Sequence, residues 1–193
     1  PAVVERLALQ SGNTDAQIAL LGDKQFLISE DDAAFIAYGD TGGSLISQGE
    51  PVGAQEAGRK LIWRLRETAD KAGKRCAFYG VSERYLTTYL DLGFSILKIG
   101  EVARVDLRGF SLEGPNRKDF RNACARAKRE GFEFAVIPAA LVPGVLPDLR
   151  AVSDAWMDMK QGEEKAFSLG NFDARYLAHF DHAVLRHVET GKI

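Results

Sequence analysis

One amphipathic helix placed directly after three β-like runs limits the possible fold more than any other feature. In residues 54–72, apolar side chains recur at helical intervals, and Gly73 follows where a helix commonly ends. The runs 25–29, 34–38 and 44–48 precede this helix, and a glycine-rich turn separates the last two. The pattern predicts a mixed sheet that is flanked by the helix.

The residues up to 107 continue the same alternation of strands and helices. A strand is predicted over 75–81 and a helix over 82–91, followed by two further strands over 94–99 and 102–107. The resulting order, β-β-β-α-β-α-β-β, resembles the N-acetyltransferase-like (GNAT) fold. We therefore expect an α/β protein with an α+β mixed sheet, whose first acetyltransferase-like lobe spans residues 1–108.

A second unit is predicted over residues 109–193. Its expected elements are a helix at 117–130, a strand at 132–138, a loop at 138–147, a helix at 147–160 and a strand at 183–188. This order repeats the opening of an acetyltransferase-like lobe, and the central strand and helix of such a lobe would follow Ile193. We expect this second GNAT-like lobe to be incomplete.

Composition indicates an ordinary folded protein and limits its partners. Hydrophobic residues make up 46% of the chain and charged residues 27%, and the net charge of −2 gives no global attraction for nucleic acid. No apolar stretch reaches the roughly 18–20 residues that span a bilayer. Because the chain begins with Pro1 and ends just after a hairpin-like turn at 189–191, we expect a fragment of a longer protein whose other parts could include membrane spans.

Neither a metal nor coenzyme A is expected as a cofactor. Cys76 and Cys124 each lie among apolar residues without a Cys/His cluster, so they are predicted to be buried thiols rather than zinc ligands. The loop 48–53 stands where acetyltransferases bind the pyrophosphate of coenzyme A through glycine amides. Here Pro51 removes one N–H donor and Glu50 adds a negative charge.

The stretch 117–130 is strongly basic, with six basic and two acidic residues and a net charge of +4. Such a helix is either a solvated face or an electrostatic contact for an RNA backbone or an anionic lipid. Its apolar stripe is predicted to be buried and consists of Phe120, Ala123, Cys124 and Ala127. The candidate substrate-binding residues on this helix are Arg117, Arg121 and Lys128.

Residues 153–172 combine acids, bases and large apolar side chains more densely than the rest of the chain. From Trp156 onward they read W-x-x-x-K-x-x-x-E-K-x-F-S-L-G-x-F-D-x-x-Y-L. Together with the segments 49–53, 98–103 and 110–114, this run resembles the C-terminal synthase domain of the bacterial phosphatidylglycerol lysyltransferases, also known as multiple peptide resistance factors. The departures are Glu50, where the family tends to aspartate, and Ala166, where it often has glycine.

The resemblance implies two acetyltransferase-like lobes that face each other at the cytoplasmic face of the bacterial inner membrane. Lysyl-tRNA would enter from the aqueous side and phosphatidylglycerol from the membrane side, and an N-terminal flippase domain would span the membrane in the full-length protein. The implied reaction moves lysine from the tRNA ester to a glycerol hydroxyl, which confers resistance to cationic peptides. One ester is exchanged for another, so no ATP, metal or redox cofactor is required.

The resemblance also suggests roles for the dense segment. The implied catalytic residues are Glu164 or Asp154 for ammonium recognition or as base, and Lys160 or Lys165 for the oxyanion or the lipid phosphate. The implied substrate-binding residues of this segment are Trp156, Phe167, Ser168 and Gly170. Three tyrosines in the resembling motifs are interpreted as core residues: Tyr79, Tyr85 and Tyr89.

Two other functions remain open from the sequence. One is a peptidoglycan-bridge aminoacyltransferase, which also uses aminoacyl-tRNA but transfers to a peptide amine. The other is a non-catalytic module that binds anionic membranes or RNA. We expect the chain by itself to be soluble, inactive and prone to self-association, because an incomplete second lobe would leave apolar surface exposed.

Overall fold

A computed structural model describes residues 1–160 and 167–193. These residues form two compact units, the first comprising 1–96 and 167–173 and the second comprising 97–160 and 174–193. The division of folding domains at residue 108 remains a prediction.

A mixed sheet organises the first unit, as the sequence predicts. Its strands are β1 (Gln25–Ile28), β2 (Ala34–Asp40), β3 (Ser44–Gln48), β4 (Val52–Gly53) and β5 (Arg75–Tyr79). The order is β1-β2-β3-β5, and β4 pairs with the first residues of β2. Strands β1, β2 and β3 are antiparallel, whereas β3 and β5 are parallel. The carboxyl ends of β3 and β5 therefore meet at one edge of the sheet.

Strand β2 supplies both faces of the core, because successive side chains of a strand point to opposite sides. Ile36 and Tyr38 pack with the helix α2 (Gln55–Lys71), while Phe35 and Ala37 pack with the helix α1 (Ala2–Gln10). A 3₁₀ helix at Thr14–Leu21 follows α1. The sheet is thus covered on both faces, and complete burial of each large apolar side chain stabilises the fold by about 1.5–3 kcal/mol.

The two predicted helices of the first unit are confirmed. In α2 the side chains of Leu61, Ile62 and Leu65 are buried, and the helix ends at Gly73 with a φ of +65°. The second is a 3₁₀ turn at Glu83–Tyr85 that continues into α3 (Leu86–Asp91). Ser82 caps this turn, because its hydroxyl accepts a hydrogen bond from the N–H of Arg84 at 3.2 Å.

The second unit is built around a two-stranded antiparallel sheet. Its elements are α4 (Lys118–Arg129), β6 (Phe132–Ile137), α5 (Leu146–Lys160), α6 (Ala174–Leu177) and β7 (His182–His187). Ile137, Val142 and Val184 form its small buried core. Within the described ranges, no helix is long and apolar enough to cross a bilayer.

Several sequence-based predictions for residues 94–147 were wrong. The segments 94–99 and 102–107 are not strands, and Leu97 and Val102 are 81% and 80% exposed. Their apolar and β-branched residues favour an extended backbone, but a strand also needs a hydrogen-bonding partner, and no described strand pairs with them. The predicted loop before α5 contains a 3₁₀ helix at Ala139–Val145.

The apolar stripe of α4 is also not buried as predicted. Phe120 is 50% exposed, and α4 has no buried side chain. Cys124 is therefore an exposed thiol, whereas Cys76 is half-buried beneath α2. Burial raises the pKa of Cys76 to about 11, so this thiol stays protonated at neutral pH. Helical spacing identified the apolar side of α4, but the contacts that the described residues make with α4 leave none of its side chains buried.

An ion pair ties the β2–β3 hairpin to the start of β5. The carboxylate of Asp40 binds the ammonium of Lys74 and accepts a hydrogen bond from the N–H of Gly42 at 2.9 Å. The hydrogen bond from Lys74 is the main reason that the pKa of Asp40 lies below its usual value of 3.8. The carboxylate thus stabilises the fold above that value, and this contribution is lost as the pH falls through the lower folded-state pKa.

Asp40→Asn is expected to lower the free energy of unfolding at pH 7 and to flatten its decrease below pH 4. Urea unfolding between pH 2 and pH 7 measures both effects. Asp91→Asn is the control, because Asp91 is an exposed carboxylate at the end of α3. Equal acid sensitivity of the Asp40 variant and the unsubstituted chain would contradict the assignment.

Candidate functional site

The chain leaves the sheet between β3 and β4 and returns three residues later. Gly49 begins this excursion with a φ of +73°, and its N–H donates to the carbonyl oxygen of Tyr79 at 2.8 Å. That hydrogen bond extends the pairing of β3 and β5 beyond Gln48. The excursion ends at Gly53, where the backbone lies directly against Ala33. An interruption of this type re-aims a strand end and is common beside functional sites.

A cleft of about 490 Å³ lies at this edge of the first unit. Its walls are the end of α1, the 3₁₀ helix after it, the loop 48–53, the residues after β5, Arg84, and Ser168 with Leu169. The volume lies in the range of small-molecule sites, about 300–1,000 Å³. Ligands of open α/β sheets commonly bind beyond the carboxyl ends of parallel strands, and β3 and β5 end here.

Charges of both signs line the cleft. Glu50 accepts hydrogen bonds from the hydroxyl and N–H of Ser82, at 2.6 and 3.3 Å. Asp15 is a second acid, and the Arg84 guanidinium lies 5.2 Å from the ring centre of Tyr85. A cleft of this kind can bind a ligand that carries an ammonium group, a polar chain or both charges. We still predict that this cleft does not bind coenzyme A, because Pro51 has no N–H to donate to a phosphate and Glu50 is anionic.

The three tyrosines differ in position. Tyr85 and Tyr89 belong to the core, as predicted, and neither hydroxyl has a hydrogen-bond partner among the described residues. Burial raises the pKa of both hydroxyls. Tyr79, also interpreted as a core residue, is instead 45% exposed and lines the cleft. It is the last residue of β5, where the alternation of the strand directs it away from α2.

The structure places part of the dense segment in the first unit. The N–H of Phe167 donates to the carboxylate of Asp23 at 3.1 Å, and its ring centre lies 6.5 Å from that of Tyr79. Ser168 lines the cleft, and Gly170 follows with a φ of +76°. These three predicted substrate-binding residues are therefore close together.

Other candidate residues of the dense segment lie on α5 in the second unit. The ammonium of Lys160 lies 4.8 Å from the ring centre of Trp156, a cation–π contact between residues one helical turn apart. Asp154 lies 3.8 Å from the guanidinium of Arg150. All three predicted residues on α5 are exposed. Glu164 and Lys165 fall outside the described residues.

In the stretch 117–130, two of the three candidate basic residues have structural contacts. The guanidinium of Arg121 donates to the carbonyl oxygens of Leu112 and Gly114, at 2.6 and 2.7 Å. Arg117 lies over the rings of Phe110 and Phe120. Lys128 is exposed, as are Lys118 and Arg129, which the sequence analysis did not single out.

Most residues of the cleft were not predicted from the sequence. The loop 48–53 was interpreted as a loop that does not bind coenzyme A and as one of the segments that carry the family resemblance, and no role was predicted for Asp15 or Arg84. The available signal was the unusual loop itself, since a Gly-x-Pro-x-Gly turn directly after a strand marks a backbone excursion. The residues across the cleft have no such signal, because they meet the loop only through the tertiary fold.

The first unit thus has an α/β fold, in which helices cover both faces of a mixed sheet. Its cleft lies where the parallel strands β3 and β5 end. The profile of a family described as "Phosphatidylglycerol lysyltransferase, C-terminal" matches residues 5–193. The chain belongs to this family, which confirms the resemblance drawn from the sequence motifs.

Individual relatives support the same assignment. The chain is 32% identical to proteins named phosphatidylglycerol lysyltransferase from Bacillus subtilis strain 168 and Staphylococcus aureus strain COL. These matches cover 96% and 94% of the chain but only 22% and 21% of the relatives. The chain thus spans about a fifth of their length.

Two solved structures are similar over the whole chain. One is the C-terminal domain of a lysylphosphatidylglycerol synthetase from Agrobacterium fabrum, with a TM-score of 0.91 and 38% identity over 61% of that structure. The other is L-PGS from Bacillus licheniformis, with a TM-score of 0.90 and 34% identity over 59% of that structure. They confirm the mixed α/β fold class and are consistent with the acetyltransferase-like assignment.

Proposed function

We propose that the protein containing this chain transfers lysine from lysyl-tRNA to a glycerol hydroxyl of phosphatidylglycerol. The observation that carries the proposal is the family match over residues 5–193. The names of the relatives from two genera support the lysyl group and the lipid acceptor. The proposal places the reaction at the cytoplasmic membrane face, beside an N-terminal flippase domain of the full-length protein.

The chemistry requires no cofactor. The acceptor hydroxyl attacks the carbonyl carbon of the aminoacyl ester, and the ribose oxygen of tRNA leaves with a proton. One C–O bond forms and one breaks, so charge and redox state are unchanged. The site needs a base for the hydroxyl, a cation or donor for the oxyanion, and carboxylates for the lysyl ammonium groups. Asp154 and Glu164 are the proposed acids, with Lys160 and Lys165 as the proposed cations.

The direct test is transfer of labelled lysine from lysyl-tRNA by the full-length protein with phosphatidylglycerol vesicles. Labelled lipid is expected, and phosphatidylcholine vesicles, which lack the glycerol headgroup, should give none. Transfer to a peptidoglycan peptide amine, with no lipid product, would favour the peptidoglycan-bridge function instead. Binding of tRNA or vesicles without any transfer would favour the non-catalytic module.

The exposed basic residues of α4 are proposed to contact the tRNA backbone. Lys118 and Lys128 suit a test, because neither side chain makes a described hydrogen bond or ion pair, unlike that of Arg121. Their replacement by glutamate should weaken tRNA binding by about tenfold or more at 0.1 M salt, since each phosphate contact adds about 0.7–0.9 to the slope of log affinity against log salt. Filter binding of lysyl-tRNA over a salt series measures both quantities.

The control makes the same change of net charge on α2. Lys60→Glu with Lys71→Glu reverses two exposed lysines on a helix of the first unit. This pair should leave the salt slope close to that of the unsubstituted protein. Equal loss of binding in both double variants would show that α4 acts only through net charge.

A further inference from the structure

The carboxylate of Asp23 joins the start of β1 to a segment that is 144 residues away in the sequence. One oxygen binds the ammonium of Lys24 at 2.6 Å, and the other accepts the N–H of Phe167 at 3.1 Å. The side chain of Lys24 is fully buried, whereas that of Asp23 is 28% exposed. A buried ammonium needs an opposite charge. Lys24 therefore fixes the orientation of the Asp23 carboxylate.

Phe167 has a backbone conformation that requires support. Its φ is +70°, a left-handed conformation that is uncommon and unfavourable for a residue other than glycine. The Phe167 ring lies directly on the backbone of β2, where a Cβ atom at Gly39 would come within 3.1 Å of it. The ammonium of Lys24 lies 5.8 Å from the ring centre. Asp23, Lys24 and Gly39 together hold this turn.

The turn at Phe167 connects two functional parts of the chain. The next residues, Ser168 and Leu169, line the cleft. Glu164 and Lys165, two of the proposed catalytic residues, precede Phe167 by three and two positions. A fixed backbone at Phe167 therefore limits where Ser168 and Leu169 can lie in the cleft. Displacement of reacting groups by about 1 Å can reduce an enzymatic rate by about a hundredfold.

We propose that Asp23 is a positioning residue for aminoacyl transfer, acting through its hydrogen bond to the backbone N–H of Phe167. Lys24 supplies the charge that orients Asp23, and the hydrogen bond fixes the left-handed turn that places Ser168 in the cleft. The role in turnover rests on the proposed function. The hydrogen bond itself can be tested independently of activity.

Two double variants of the full-length protein isolate this hydrogen bond. Asp23→Asn with Lys24→Met removes both charges but keeps a side-chain oxygen that can accept the Phe167 N–H. Asp23→Ala with Lys24→Met removes both charges and the acceptor. Neither variant leaves an unpaired buried charge, so the pair differs chiefly in the acceptor.

The alanine variant is expected to show about tenfold lower kcat than the asparagine variant, with little change in KM for either substrate. Hydrogen exchange measured by mass spectrometry should be at least severalfold faster in the peptide containing 167–173. Similar melting temperatures of the two variants would separate this effect from a general loss of stability.

Three outcomes would overturn the proposal. Equal exchange in the two variants would show that the hydrogen bond does not hold the turn. Faster exchange with an unchanged kcat would show that the turn does not position catalytic groups. Equal losses of kcat and melting temperature in both variants would indicate a purely structural ion pair. If the unsubstituted protein transfers no lysine, the proposed function fails, and the exchange result still decides whether Asp23 holds the turn.

Discussion

Gly53→Ala is expected to destabilise the first unit by at least about 3 kcal/mol, from backbone strain and overpacking together. Gly53 has a φ of +113°, a conformation that L side chains rarely adopt. An added Cβ atom would overlap the carbonyl oxygen of Ala33 and lie 2.9 Å from the Cα of Ala34. These are backbone atoms of the sheet, and the Ala33 oxygen also accepts the N–H of Ala54 at 2.9 Å. The clash cannot be relieved by rotating a side chain.

Gly49→Ala is the matched control in the same loop. Its φ of +73° makes alanine unfavourable, but an added Cβ atom would meet nothing within 4 Å. The expected cost is therefore only about 1–2 kcal/mol. Urea unfolding of both variants, followed by far-UV circular dichroism, measures the difference. If the two variants were equally stable, the close contact between β4 and the start of β2 would be wrong.

Gly58→Ala is expected to destabilise the protein by about 1–3 kcal/mol, although alanine is intrinsically the better helix former. An added Cβ atom would overlap the hydroxyl of Tyr85 and lie 2.9 Å from the Cβ of Pro51. Because Pro51 belongs to the cleft wall, the substitution should also disturb the loop 48–53. This close contact therefore links α2 to the candidate site.

Tyr85→Phe should partly rescue Gly58→Ala. The Tyr85 hydroxyl is buried and has no partner among the described residues, so its removal alone should be neutral or stabilising by up to about 2 kcal/mol. The double variant should lose less stability than the sum of the single effects, since the overlapping atom is gone.

Tyr89→Phe is the control for this rescue. Tyr89 is also buried with an unpartnered hydroxyl, but it is not among the atoms nearest to a Cβ at Gly58. Its effect should simply add to that of Gly58→Ala. Thermal unfolding of the three single variants and the two double variants decides between the two behaviours. Equal rescue by both tyrosine substitutions would place the overlap elsewhere.

Local patterns predicted the elements of the first unit well where each pattern had a partner in the fold. The stripe of α2 is spaced for a helix and meets the buried face of β2, so both sequence patterns agree with the packing. The segments 94–99 and 102–107 are also rich in apolar residues but lack a described partner strand. An apolar pattern indicates which side chains are favourable to bury. Strand formation additionally requires hydrogen bonds to another segment.

Some features of the candidate site could likewise be predicted from the sequence, and others could not. The glycine and proline residues of the loop 48–53 are readable in the sequence, because they restrict the local backbone. Arg121 is different, since composition identified it as a candidate for polyanion binding and the structure shows it bound to two carbonyl oxygens. A charged side chain has the same sequence signature whether it binds a ligand or its own backbone. Only the distances between atoms separate the two.

The sequence by itself determined the order of elements around α2, the mixed sheet and the family, because these depend on local periodicity and on motifs in a fixed order. The tertiary structure alone decided where the cleft lies and that Asp23 holds the turn at Phe167. That contact joins residues 144 positions apart, and neither residue has a local feature that identifies the other. Contacts of this kind depend on the packing of the whole unit, and local patterns in the sequence do not predict that packing.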